Sequence, residues 1–194
     1  MRRRKNSKAN VYAFIDSQNL NLGVQRMGWK LDWRKFRQYL ADKYNVTQAY
    51  MFIGYMSENE SMYEYMHELG YLVVLKPTVD VKMPNQTTPD GSDHGSTKEA
   101  EAHKPMIKGN VDAELVLYAM KELPNYSKAI IVSGDGDFFS LAEYLKEQDK
   151  LANILTPNWQ YSSLLKVFEP EIVRLDQLRK QLAYHDHHSK KPKS

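Results

Sequence analysis

Asp16 closes the apolar run Val11-Tyr12-Ala13-Phe14-Ile15, and a second apolar run, Ala129 to Val132, leads straight into Ser133-Gly134-Asp135-Gly136-Asp137. A fourth carboxylate, Asp112, ends Lys108-Gly109-Asn110-Val111-Asp112 just before a helical pattern. Parallel sheets bind their ligands at the C-terminal ends of strands, so acids placed directly after apolar runs are the first candidates for chemistry. Gly134 and Gly136 suit a sharp turn that lets a phosphate or a cation approach the backbone. Asp137 and Asp112 also have ordinary readings, as a helix cap and as a charge favourable to a helix dipole. Asp135, at a strand end between two glycines, is expected to turn into the cleft as a ligand rather than to cap. Like charges gathered in one cleft are costly without a cation. Oxygen-only donors favour a hard ion, Mg²⁺ or Mn²⁺, and carboxylates holding such ions are the equipment of phosphodiester hydrolysis.

Composition narrows the alternatives. The chain has no cysteine, which excludes disulfides, thiolate nucleophiles and cysteine-ligated zinc. Its basic start precedes too short an apolar run for a signal peptide, and no stretch is long and apolar enough to span a membrane, so a cytoplasmic protein is expected. The net charge of +3 hides an asymmetry. Arg2, Arg3, Arg4, Lys5 and Lys8 lie in one tail and Lys190, Lys191 and Lys193 in the other. Setting these eight aside from 27 basic residues, and Asp186 of the second tail aside from 24 acidic ones, leaves 19 against 23, a body balance of −4.

Stepping from strand end to strand end, the elements that must position the acids alternate. Val11 to Ile15 reads as a strand buried on both faces, followed by helical patterns over Asn19–Met27 and Asp32–Tyr44, with Asp32 as N-cap. Strands are expected at Thr47–Tyr55, Tyr71–Val79, Ala129–Val132, Leu151–Leu155 and Ile172–Leu175. Helices are expected at Glu58–Leu69, stopped by Gly70, and at Asp112–Leu123, Asp137–Gln148 and Ser162–Phe168. This alternation predicts one α/β domain over 10–184: a three-layer, Rossmann-like, mainly parallel sheet with helices on both faces. A basic tail (1–9), a long polar mobile loop (83–104) and a disordered His/Lys-rich tail (185–194) complete the organisation.

Asp16-Ser17-Gln18-Asn19 after the first strand, the Lys108 to Asp112 stretch before a helix, and Ser133 to Phe138 after a later strand together resemble the NYN domain, of the LabA-like branch of the PIN-like nucleases. The resemblance spans about Val11 to Leu175 and implies a parallel-sheet nuclease fold that acts on RNA with Mg²⁺ or Mn²⁺. It further implies that Asp16, Asp112, Asp135 and Asp137 are metal ligands and catalytic residues. Asn19 and Ser133 would orient a phosphate or a water, and Lys108 would bind substrate.

Three functions of different class follow. The first is a metal-dependent endoribonuclease, with single-stranded RNA and a second copy of the chain as expected partners. The second is an RNA-binding or regulatory module with little turnover, and the third a Mg²⁺-dependent phosphatase with Asp16 as nucleophile. The phosphatase reading wants a second acid two residues after the nucleophile, where this chain has Gln18. Lesser clusters rank below: His185-Asp186-His187-His188 as a transition-metal site, Asp90 to Asp93 as a partial calcium loop, and Trp159 with Tyr161 as base-stacking side chains, where a structural role is favoured. Tyr12, Tyr50, Phe52, Tyr55 and Tyr71 read as core or sheet-edge residues.

The tails generate a first prediction. Their charges are free to pair with phosphates and release counterions, so deleting residues 1–8 and 190–194 should flatten the salt dependence of RNA binding. An unchanged slope in a fluorescence-anisotropy salt series would place the phosphate contacts in the body instead.

Overall fold

The computed structural model describes residues 10–55, 57–76 and 111–185. The first strand, β1 (Val11–Asp16), is buried along its whole length, as a central parallel strand covered on both faces must be. It is followed by α1 (Ser17–Arg26), α2 (Trp33–Tyr44), β2 (Val46–Gly54), α3 (Glu60–Glu68) and β3 (Leu72–Lys76). After the long intervening segment come α4 (Asp112–Lys121), β4 (Lys128–Val132), α5 (Phe139–Glu147), β5 (Leu151–Thr156), β6 (Ile172–Arg174) and α6 (Arg179–Leu182). The expected 83–104 loop, Lys108, Asp90 to Asp93 and the tail beyond His185 lie outside the described residues.

All strand pairings are parallel, in the order β3-β2-β1-β4-β5-β6. The chain builds outward from β1 to β3, returns to lay β4 on the free side of β1, and builds outward again. The strand order therefore reverses between β1 and β4, which is where a doubly wound sheet opens a crevice. The Cα register pairs Ile15 with Val132, so Asp16 and Ser133 stand side by side one residue beyond the last pair.

Side-chain alternation divides the core into two layers. Ala13, Ile15, Met51, Ile130 and Val132 pack with Leu20 and Val24 of α1, Phe36 and Leu40 of α2, and Leu182 of α6. Tyr12, Phe14, Phe52, Ile131 and Ile154 pack on the other face with Leu115 of α4, Leu141 and Leu145 of α5, and Leu165 and Phe168. Tyr12, Tyr50, Phe52 and Tyr71 are core residues, as expected, and the Tyr71 hydroxyl donates to the Trp33 carbonyl at 2.8 Å.

Local signals act where the sequence places them. The Asp32 carboxylate caps α2 by accepting from the Lys35 N–H at 3.1 Å, and Gly70 ends α3 at φ 84°. One expected helix differs: Ser163–Glu171 is a 3₁₀ segment, broken at Phe168 and carrying Pro170. A proline N cannot donate, so an α-helix could not continue unbroken through Pro170.

Both apolar layers form from strand and helix interiors and use none of the strand-end acids. The protein should therefore unfold cooperatively in EDTA, with added Mg²⁺ or Mn²⁺ raising its stability by no more than a few kcal/mol through linkage. A chelated sample without a cooperative thermal transition would contradict this.

Candidate functional site

Among the described residues the buried polar side chains are Asp16, Ser133, Thr156 and Asn158. All four lie at, or one or two residues beyond, the C-terminal ends of β1, β4 and β5. Polar groups are buried only where they are hydrogen-bonded, and here Ser133 ties the end of β4 to Asp16 of β1 while Asn158 ties the segment after β5 to α1.

Asp16 is the centre of these ties and is only 5% exposed. One carboxylate oxygen caps α1 by accepting from the Asn19 N–H at 3.0 Å, and the other accepts from the Ser133 hydroxyl at 3.1 Å. The same hydroxyl accepts from the Asp135 N–H at 3.1 Å. The Asn19 side-chain oxygen accepts from the Gly134 N–H at 2.9 Å, so the two residues from the first motif grip the turn after β4 at two points. Ser133 and Asn19 thus position the acids and their loop.

Burial pushes the Asp16 carboxyl above the usual carboxylate range. The Asn19 N–H and the Ser133 hydroxyl oppose that shift, and the negative charge of Asp135 adds to it. Asp16 and Asp135 are therefore brought close enough to feel one another.

Asp135 is half-buried and accepts from the Asp137 N–H at 3.0 Å, capping the 3₁₀ turn Gly136–Phe138. Capping falls to Asp135, not to Asp137 as the sequence suggested, and Asp137 is exposed. A carboxylate has about four lone-pair sites, so one accepted bond leaves Asp135 free to bind something else as well. Asp112 is half-buried in the first turn of α4, which packs against β1 and the 136–138 turn. Among the described residues no group of three or more His, Asp or Glu side chains stands ready to hold a metal ion.

The glycines work differently from the sequence expectation. Gly134 and Gly136 do not adopt positive φ, and what would meet their side chains is protein. A Cβ on Gly134 would come within 3.3 Å of Tyr161 Cβ, and one on Gly136 would strike the Ser162 side chain and reach Leu164 at 3.0 Å. Gly23 of α1 likewise lets Pro157 close in, with a hypothetical Cβ in contact with the proline ring and 2.8 Å from its Cγ. Asn158 then donates to the Gly23 carbonyl at 2.8 Å, and Ser162 N–H to the Gly134 carbonyl at 2.9 Å. The strand-end rule applied to Thr156-Pro157-Asn158 after the Leu151–Leu155 run would have found this third wall.

With this geometry in view, the NYN domain model matches residues 10–172. The chain belongs to the NYN domain family. NYN domains form a PIN-like nuclease family, which ties the chain to nucleic-acid-related activity. The chain is 22% identical over 170 residues to the low amplitude and bright protein LabA of Synechococcus elongatus, covering 86% of this chain and 83% of that one. A crystal structure of a protein of unknown function from Vibrio parahaemolyticus has the same fold at a TM-score of 0.65 and 20% identity, over 93% of this chain and 99% of that one. No helix among the described residues is long and apolar enough to cross a membrane.

Two outcomes follow from the NYN site. The folded state holds the Asp16 proton more tightly than the unfolded chain, so ionising Asp16 costs stability. The cost is absent while both states are protonated and complete once pH exceeds the raised value. In metal-free buffer, Asp16→Asn should gain on the parent as pH rises out of the ordinary aspartate range; a pH-independent difference in urea midpoints would refute this. For Gly23→Ala, helix propensity gives back about 1 kcal/mol, but overpacking against a rigid proline ring costs about 1–3 kcal/mol. Its melting temperature should fall, and a rise would show that α1 does not need the close approach.

Proposed function

We propose that this NYN protein is a metal-dependent ribonuclease that hydrolyses phosphodiester bonds of single-stranded RNA at the β1/β4 crevice. The observation that carries the reading is the buried Asp16 carboxylate, tied through the Ser133 hydroxyl to the backbone of Asp135 at 3.1 Å on either side. A buried acid beside a second acid is unfavourable by itself and becomes favourable with a cation between or beside them.

The donor set fits one Mg²⁺ or Mn²⁺. Magnesium binds through one or two carboxylates, keeps several waters and takes further oxygens from substrate phosphate, so two adjoining acids suffice without a cage. Asp16 and Asp135 would hold the ion, with Asp112 and Asp137 as further ligands once RNA is in place. When bound, the ion supplies a polarised phosphoryl oxygen and a water acidic enough to attack phosphorus. Ser133 keeps the Asp16 carboxylate and the Asp135 loop in register, Asn19 fixes the turn at Gly134, and Lys108 would steady phosphate charge. No side-chain nucleophile is required, consistent with a chain that lacks cysteine.

A second reading, RNA binding with little turnover, is favoured by the lack of a ready three-acid cluster among the described residues. The phosphatase reading has less support, because the position two residues after Asp16, where it wants a second acid, is the exposed Gln18. Incubating the protein with labelled single-stranded RNA and with a generic phosphomonoester, each in Mg²⁺, Mn²⁺ or EDTA, separates the three. Metal-dependent RNA cleavage is the result expected here, binding without cleavage selects the second reading, and phosphate release the third.

Asp135→Asn keeps the cap oxygen and removes the charge. Metal-dependent cleavage should fall by orders of magnitude while the melting temperature in EDTA holds or rises. Near-normal cleavage by this variant would remove the carboxylate mechanism, and unfolding would return Asp135 to a purely structural role.

A further inference from the structure

Beside the acids, α1 and the segment after β5 enclose a small cleft of about 110 Å³ lined by Asn19, Leu22, Arg26, Gly134, Gln160 and Tyr161, among others. Its position is fixed by the close approaches at Gly23 and Gly134 and by the Asn158 bond to Gly23, so it is a built feature of the fold. We propose that this cleft receives a single pyrimidine base of the RNA strand whose phosphate lies at Asp16 and Asp135, an inference that rests on the nucleic-acid reading above.

Three observations converge on that ligand. The volume is well below that of a cleft for a whole drug-sized molecule, which runs to about 300 Å³ and more, and is on the scale of a single base. The lining is biased toward donors. The Asn19 oxygen is taken by the Gly134 N–H, which leaves its NH₂ without a hydrogen bond among the described residues. Arg26 offers only donors and forms no ion pair among the described residues. Gln160 is exposed and its side chain can both donate and accept, which matches a base edge that carries a carbonyl O2 beside an N3 of either polarity.

The third observation is electrostatic. Arg26 is the one charged side chain of the lining, and no carboxylate lines the cleft, although the body of the chain is acidic by four charges. An electron-rich base edge is accommodated here while the neighbouring acids handle the backbone. The Tyr161 ring and the Leu22 and Pro157 side chains supply apolar walls, and Trp159, between two lining residues in the chain, is 57% exposed and available to stack on the next base.

The test compares cleavage-resistant phosphorothioate octamers of uridine, of adenosine and of abasic ribose, binding to the full chain in Mg²⁺ at fixed salt. Octauridine should bind about tenfold more tightly than the abasic octamer and more tightly than octaadenosine, since one stacked and hydrogen-bonded base is worth about that much. Gln160→Ala, an exposed substitution, should erase most of the uridine advantage and leave abasic affinity unchanged. Arg26→Ala should do the same to the ratio while lowering all three affinities modestly. Equal binding of uridine and abasic octamers, or a Gln160→Ala protein that keeps the preference, overturns the base cleft and leaves the nucleic-acid reading standing. Failure of all three octamers to bind overturns both.

Discussion

A carboxylate at the end of a central strand stays buried only if the backbone around it is built to satisfy it, and in this chain that requirement organises the site. Asp16 is held at 5% exposure by the first turn of α1 on one side and by Ser133 on the other. Ser133 can reach it because β1 and β4 are neighbours in parallel register, which in turn requires the chain to return across the sheet after β3. The topology that opens the crevice and the hydrogen bond that furnishes it are therefore the same fact. Electrostatics gives the arrangement its direction: burial and the Asp135 charge both disfavour ionised Asp16, an imbalance that the proposed cation would offset.

The second organising feature is space. At Gly23 and Gly136 a methyl group would collide with the 157–164 segment, and at Gly134 it would press tightly against it. That segment is irregular up to the start of the 3₁₀ stretch at Ser163, and it gains its position from glycine contacts and from the Asn158 and Ser162 hydrogen bonds. It forms the third wall of the crevice and the roof of the small cleft beside the acids. Positioning by close approach is rigid, since closely packed interiors do not deform continuously.

Charge is divided between parts of the chain with different jobs. The folded body is acidic, which suits a cation-assisted site, and the basic residues concentrate in the tails, where they can draw a polyanion without specifying its sequence. Within the body, the cleft at Arg26 has no carboxylate in its lining although it lies beside the acids.

The order of elements, the parallel sheet and the family were legible from the residues, because buried strands such as Val11–Ile15 and Ala129–Val132 announce themselves by composition and a motif follows each of these two directly. Asp16 and the Ser133–Asp137 turn were visible for the same reason: chemistry at a strand end is a local pattern. The roles inside the turn were not. Whether Asp135 or Asp137 caps depends on which carboxylate the 3₁₀ turn brings to a free N–H, and that is set by how the turn leaves β4. Gly134 and Gly136 were read as freedom for the backbone when they are room for Tyr161, Ser162 and Pro157, partners 23 to 27 residues away that no local spacing can reveal. The sequence by itself determined which groups stand at the strand ends, since that is a property of contiguous residues. Only the tertiary structure decided which of them meet, because separation along the chain says nothing about the register of β1 on β4 or the closeness of α1 to the segment after β5.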